Sequence, residues 1–142
     1  MAGPRLRNVR GRAVRRTINR PLLDSLATIT VTPEREYLPV EGYACACGEE
    51  DCYDSHIRPV MDDLEVNGNR WAWCIVHVKA VLDGFEGHAW LGGCSYANEE
   101  DFKRGGYYED MVDEALTNLQ EQIEAREAAI AKIRSWATRG KE

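Results

Sequence analysis

The stretch RWAWCIVHVKAVL (residues 70–82), followed by DGFEG (83–87) and HAWLGGCSYA (88–97), decides the fold of this chain. Both flanks are rich in β-branched and aromatic residues, and glycines lie between them. This pattern predicts a β-hairpin. If the loop covers residues 83–87, Leu82 pairs with His88. That register determines on which of the two faces each residue of the hairpin lies.

One face of the predicted hairpin is almost entirely apolar and should face the core. It holds Cys74, Val76, Val78, Ala80, Leu82, Trp90, Gly92, Cys94 and Tyr96. The opposite face is mixed and should be partly wet, with Trp73, Ile75, His77, Lys79 and Leu91. His77 and His88 fall on different faces, so they are not expected to act as a pair. Gly92-Gly93 indicates a bulge or a close backbone approach.

The two hairpin cysteines are expected to be buried core thiols. As diagonal neighbours about 7–8 Å apart, Cys74 and Cys94 would be too distant for an easy disulfide. Upstream, LATITVTPE (26–34) alternates β-branched residues and predicts one more strand, ended by Pro33. Residues 34–70 then form a long irregular region with a short helix around 59–65. A loop of that length is uncommon in a compact domain unless something braces it.

The irregular region contains CACGEEDCYDSH (45–56), with three cysteines and a histidine. Zinc prefers tetrahedral thiolate and imidazole ligands, and a structural site uses four. We therefore predict a zinc (Zn²⁺) site with the ligands Cys45, Cys47, Cys52 and His56. Cys74 or Cys94 is the alternative fourth ligand. Since thiolates reduce Lewis acidity and no HxE or HExxH motif is present, the zinc is predicted to be structural rather than catalytic.

The segment CACGEEDC (45–52) resembles the CxCGxxxC pattern of the post-SET segment, the short zinc-binding tail that follows SET-domain methyltransferases. In that family the three cysteines bind zinc together with a ligand from elsewhere. The resemblance covers the eight residues of the motif, and it implies a zinc-binding turn rather than methyl transfer.

After Gly105-Gly106 the chain predicts a long helix over 107–138, closed by Gly140. Apolar residues recur at spacings of three and four: Val112, Leu116, Leu119, Ile123, Ile130, Ile133 and Ala137. Such a helix is roughly 48 Å long, whereas a compact domain of this size is roughly 37 Å across. The overshooting end is predicted to bind a partner protein or a second copy, as in a coiled coil, through Ile123, Ile130, Ile133 and Trp136. The apolar residues of the N-terminal basic arm are the third candidate to cover it.

The N-terminus is a basic arm on an acidic body. Residues 1–20 carry seven arginines and no acid, whereas the rest of the chain has 11 basic and 24 acidic residues, a net charge of −13. The arm residues Arg5, Arg7, Arg10, Arg12, Arg15 and Arg16 are predicted to bind a partner, which is either nucleic acid or an acidic protein surface. A solvated tail is the alternative.

Length and composition favour one small domain. The 142 residues include no apolar run of about 18, so no membrane span is expected. The N-terminus lacks the apolar region of a secretory signal. Five cysteines without such a signal indicate reduced thiols and metal binding, hence a cytoplasmic location.

The order of hairpin, LGGCSY (91–96), acidic linker and GYYEDMVDEAL (106–116) is similar to that in small uncharacterised accessory proteins of actinobacterial phages. The 14 arginines against 4 lysines agree with a GC-rich genome. The resemblance implies a small accessory protein that binds a host or virion protein. It would then reside in the host cytoplasm or in the virion.

These observations predict an α+β protein with a small antiparallel sheet. Residues 1–21 form the basic arm, 22–106 a zinc-braced β domain, and 107–142 a long helix that packs on the sheet and projects beyond it. The predicted function is non-enzymatic: a zinc-binding accessory protein that binds a partner through its long helix, its arm or both, for instance as a host-takeover or anti-defence factor. The alternatives are a nucleic-acid-binding regulator that uses the arm and a structural component of a virion.

Overall fold

A computed structural model describes residues 19–45 and 47–140. Three strands form one antiparallel sheet in the order β1-β2-β3, which confirms the α+β class. In chain order the elements are α1 (Arg20–Leu26), β1 (Thr28–Arg35), a π-helical turn (Tyr53–Ile57), α2 (Arg58–Glu65), a 3-10 turn (Arg70–Ala72), β2 (Cys74–Leu82), β3 (Phe85–Cys94), α3 (Glu99–Arg104) and α4 (Tyr107–Gly140). The predicted hairpin, short helix and long helix are all present.

The hairpin turn is tighter than predicted. Leu82 pairs with Phe85, and only Asp83 and Gly84 form the turn, with φ of 52° and 87°. Asp-Gly is a favoured pair for a two-residue turn that needs positive φ at both positions. The predicted five-residue loop over 83–87 is therefore wrong, and the strand register shifts with it.

The shifted register changes the two faces of β3. His77 lies opposite Trp90, and Lys79 lies opposite His88. The prediction that His77 and His88 occupy different faces is therefore wrong. Trp90 was predicted for the core but is 57% exposed on the open face of the sheet, whereas Ala89 is buried in its place.

The end of the hairpin contains the bulge that Gly92-Gly93 predicted. The register is irregular between Cys74 and Val76, so that Cys94 lies directly opposite Cys74 rather than diagonally. Both cysteines are buried free thiols, as expected. Gly92 is exposed and Leu91 packs partly against the core, so the predicted faces of these two residues are exchanged. The displaced turn alone accounts for this exchange, whereas the bulge lies beyond Leu91 and returns Cys94 to the face predicted for it.

The first strand continues past its predicted end at Pro33. It runs to Arg35, and Pro33 lies opposite Val76. Proline has no N–H to donate, but an edge strand such as β1 leaves alternate N–H groups unused, so Pro33 fits there. The strand begins at Thr28 because Leu26 belongs to α1, a helix that the sequence did not predict and that includes the predicted arm boundary at residue 21.

The core lies between one face of the sheet and the helices, with α4 packed across β3 and β2. Its buried residues are Leu23, Cys74, Val76, Val78, Ala80, Ala89, Cys94, Phe102, Met111, Ala115, Leu116 and Leu119. Helix α4 approaches β3 very closely at Gly87, where an added Cβ would lie 2.7 Å from the Cα of Leu119. Arg20 joins α1 to α4, since its guanidinium donates to Asp113 Oδ1 at 2.7 Å and to Thr117 Oγ1 at 3.0 Å.

Because Cys74 is buried, the protein should lose stability as the pH becomes alkaline. Burial raises the pKa of this thiol to about 12, and the neighbouring Cys94 adds to the rise. The folded state thus favours the protonated thiol. This contribution is complete below the unfolded thiol pKa of about 8.5 and is lost as the pH rises toward the folded value.

We expect the unfolding free energy of the wild type to fall faster than that of Cys74→Ala between about pH 9 and pH 11. The difference in slope is at most about 1.4 kcal/mol per pH unit for one thiol. Urea titrations at several pH values measure the two slopes, so the lower starting stability of the variant does not matter. Parallel slopes would contradict this assignment.

Candidate metal centre

The predicted zinc ligands come from two neighbouring segments, a loop and the π-helical turn that follows it. Cys45 and Cys47 lie outside regular secondary structure, and Gly48 after them has φ +73°, a conformation that glycine adopts without strain. Cys52 precedes the π-helical turn and His56 lies within it. A spacing of four residues in a helical turn places two side chains on the same side, so Cys52 and His56 point together toward the loop.

The four candidate side chains converge. The ligand atoms of Cys45, Cys47, Cys52 and His56 all lie within 4.8 Å of one another. His56 Nδ1 is 3.5 Å from Cys45 Sγ and 3.6 Å from Cys47 Sγ. Metal–sulfur bonds of ~2.3 Å and metal–nitrogen bonds of ~2.0–2.1 Å at tetrahedral angles place S and N about 3.6 Å apart. The residues therefore fit a tetrahedral metal ion.

No second metal-ligand cluster is present in the part of the chain that the structure describes. Within residues 19–45 and 47–140, no other group of three Cys, His, Asp or Glu residues has this convergence. Cys74 and Cys94, the alternative fourth ligands, belong to the main core between the sheet and α4. His56 is thus the residue that completes the set in this structure.

The three thiols influence one another. A hydrogen bond with the Cys47 side chain, followed by burial, raises the pKa of Cys52 to about 12. Hydrogen bonds with the Cys47 backbone, and then with its side chain, lower the pKa of Cys45. Hydrogen bonding among the three thiols thus favours a thiolate at Cys45 and disfavours one at Cys52. A cation among the sulfur atoms would compensate the negative charge and allow all three to act as thiolate ligands.

A second, smaller apolar cluster connects this loop to the sheet. Val40, Ile57 and Trp73 are buried there, and Cys45, Cys52, Val60, Met61 and Leu64 pack around them. The Trp73 indole Nε1 donates to the Leu38 carbonyl at 2.7 Å. Trp73 was predicted to lie on a partly wet face, but the cysteine loop and α2 cover it. Val40, Met61, Leu64 and Trp73 of this cluster also line a cavity of about 580 Å³ between the end of β1 and α2.

The open face of the sheet holds a polar cluster that the sequence reasoning missed. His77 Nδ1 lies 2.6 Å from Glu34 Oε2, and His77 Nε2 lies 2.8 Å from His88 Nδ1. His88 Nε2 lies 3.3 Å from Glu86 Oε1. Both imidazoles are nearly parallel to the Trp90 ring, at 4.8 and 5.1 Å between centroids.

The predicted partner-binding residues of α4 differ in how far they are exposed. Ile123 packs partly against the main core, and Ile130 is half-buried. Ile133 and Trp136 are 58% and 53% exposed near the end of α4. The six arginines Arg5 to Arg16 lie outside the described residues, so their predicted roles stay predictions.

Comparisons with known proteins give no family for this chain: no family model, curated protein or solved structure matches it significantly. Among the helices that the structure describes, none is both long enough and apolar enough to cross a membrane. The function therefore has to be argued from the metal-ligand cluster and the exposed surfaces alone.

Proposed function

We propose that this chain is a non-enzymatic zinc protein that binds another polypeptide through the free end of α4. We call residues 127–140 the α4 tail. The observation that carries the proposal is the exposure of Ile133 and Trp136, 58% and 53%, on a helix that continues after its contacts with the sheet end. Large apolar side chains exposed close together commonly mark an interaction site.

The end of the sheet contact is visible in the structure. Arg126 stacks over the Phe85 ring at 6.0 Å, and Phe85 is the first residue of β3. From residue 131 onward every described residue of α4 is exposed. The 14 residues of the tail span about 21 Å at ~1.5 Å each. A helical segment this short is marginal alone in water, so a partner would stabilise it.

Zinc is the metal that best fits the donor set. Three thiolates and one imidazole with tetrahedral separations are typical of structural zinc, whereas calcium and magnesium take oxygen ligands. Four protein ligands also leave no open position for a substrate or water, which is why we propose a structural rather than a catalytic ion. The metal would brace the loop around Trp73 and leave the tail to make the contact.

The test is affinity capture with the tagged full-length chain as bait, using two variants that each add one negative charge to the tail. Ile133→Glu places the charge on the apolar side, and Ser135→Glu places it on an exposed polar position nearby. We expect Ile133→Glu to reduce capture of a bound protein by roughly tenfold or more, because a charge in a desolvated contact is costly.

Ser135→Glu should capture the same protein as the wild type, with an untagged copy of the chain counted among the candidates. Equal capture by Ile133→Glu and the wild type would contradict the proposal. Nucleic-acid binding through residues 1–20, a place in a virion, a host-takeover or anti-defence role and a cytoplasmic location stay predictions, because they concern residues or partners outside the structure.

A further inference from the structure

The apolar residues of α4 follow one pattern from the core into the tail. Leu116, Leu119, Ile123, Arg126, Ile130, Ile133 and Ala137 are spaced alternately by three and four residues. Such spacing places side chains in one stripe along a helix, as in coiled coils. The first part of the stripe packs against the sheet, where Leu116 and Leu119 are buried. Among the described residues no element covers the same stripe in the tail, where Ile133 is exposed.

We propose that a second copy of this chain covers the tail, with the two α4 helices antiparallel and Ile130 of each copy opposite Ile133 of the other. This inference rests on the proposed function and specifies its partner. In this register Arg126 of one copy lies opposite Ala137 of the other. The paired segment therefore runs from Arg126 to Ala137 of each copy, and it begins at the residue where the sheet contact ends.

The sizes of the side chains are complementary in this register. Arg126 is the one charged residue in the stripe, and it faces Ala137 of the second copy, the smallest residue in the stripe. Beside the stripe, the large ring of Trp136 meets Ala129 of the second copy. Each pairing occurs twice by symmetry. At these two pairings, which flank the central pair of Ile130 and Ile133, a long side chain is matched by a short one, which lets the helices approach closely.

The charges are also complementary. Each seven-residue repeat contains two positions of the stripe, and Glu127 and Arg134 directly follow the second of them, Arg126 and Ile133. Residues at this place face one another in an antiparallel pair. Glu127 of one copy therefore faces Arg134 of the other, again twice. A parallel pair would instead place Arg126 against Arg126 inside the contact, and like charges there are repulsive. The acidic residue early in the tail and the basic residue late in it thus favour the antiparallel arrangement.

The experiment is sedimentation of the full-length, zinc-loaded chain over a range of concentrations. We expect the wild type to form a reversible dimer, Ile133→Glu to be a monomer, and Ser135→Glu to dimerise like the wild type. Circular dichroism of each variant checks that the domain remains folded. A wild type that stays monomeric at every concentration would overturn the inference.

Charge reversal tests the register. Glu127→Arg and Arg134→Glu should each raise the dimer dissociation constant by about tenfold, because each replaces two attractive pairs with two repulsive ones. The chain that carries both changes should regain the wild-type value within about threefold, since the pairs form again with reversed sign. A dimer that the double variant does not restore would overturn the antiparallel register.

The outcomes separate this inference from the proposed function. If the wild type is monomeric but captures a different protein that Ile133→Glu loses, the second copy is refuted and tail-mediated binding stands. If Ile133→Glu alters neither dimerisation nor capture, both are refuted. If dimerisation responds as described and the untagged copy is the protein captured, both are supported.

Discussion

Removal of zinc is expected to unfold residues 40–65 while the sheet and α4 remain folded. Among the described residues the segment contributes two buried side chains, Val40 and Ile57, which pack with Trp73 in a cluster of three, whereas the main core holds twelve. Ordering the backbone costs about 1–2 kcal/mol per residue, which a cluster of three cannot offset over such a stretch. Apparent binding energies of structural zinc reach about 10–16 kcal/mol, more than the burial of three side chains contributes.

Hydrogen exchange with and without a chelator measures this directly. Amides such as Ala44, which donates to the Val40 carbonyl, and Ser55, which donates to the Asp51 carbonyl, should lose their protection. Amides in β2 and β3 should keep it. Elemental analysis should find one zinc per chain in the wild type and little in Cys47→Ser or Cys52→Ser.

The matched control is Glu50→Gln, an exposed change in the same loop that leaves all four ligands in place. It should bind zinc and protect its amides like the wild type. If the metal-free protein keeps full protection over residues 40–65, the metal does not brace this loop. If the whole domain melts at once, the two clusters are not independent as the structure indicates.

Gly87→Ala is expected to destabilise the whole domain by at least about 3 kcal/mol. The added Cβ would lie 2.7 Å from the Leu119 Cα and would also collide with the Ala115 carbonyl oxygen and the Leu119 nitrogen. All three are backbone atoms of α4, so no side-chain rotation relieves the collision. The helix has to move away from β3, which opens the contacts of Leu119 and Ala89 in the core.

Urea denaturation of the wild type and the variant measures the loss, which is a large share of the 5–15 kcal/mol typical of a domain. Gly106→Ala is the control, because a Cβ there has nothing within 4 Å and the residue has no positive φ. It should change stability by no more than about 1 kcal/mol. Equal stability of the Gly87→Ala variant and the wild type would show that α4 does not pack against β3 in this way.

The strongest local patterns predicted their elements correctly. Alternation over residues 70–97 predicted the hairpin, and the glycines and apolar spacing after residue 104 predicted α4 almost to its ends. The four metal ligands could be chosen because CACGEEDC and His56 are close in sequence, so a short loop alone brings them together. Their convergence did not depend on the rest of the fold.

Features that depend on register or on contacts between distant elements were not predictable in the same way. The hairpin loop was placed over five residues, although Asp83-Gly84 is itself a signal for a two-residue turn. That error moved Trp90 into the core and separated His77 from His88.

Helix α1 does carry a local start signal, since Asn19 caps it and Pro21 lies in its first turn, and the sequence reasoning overlooked that signal. The burial of Trp73 has no such local pattern, because it depends on packing against elements elsewhere in the chain.

Helix α4 would also transmit a small movement at the sheet to its far end. Its contact with Gly87 is so close that the helix axis is fixed at that point, and about 21 Å of tail extends beyond the sheet. From Leu119 at this contact to Gly140 the helix spans about 32 Å at ~1.5 Å per residue, so a tilt of ~10° at the contact would displace the far end by ~5.5 Å. Any event that changes the packing around Gly87 would therefore reposition whatever the tail holds.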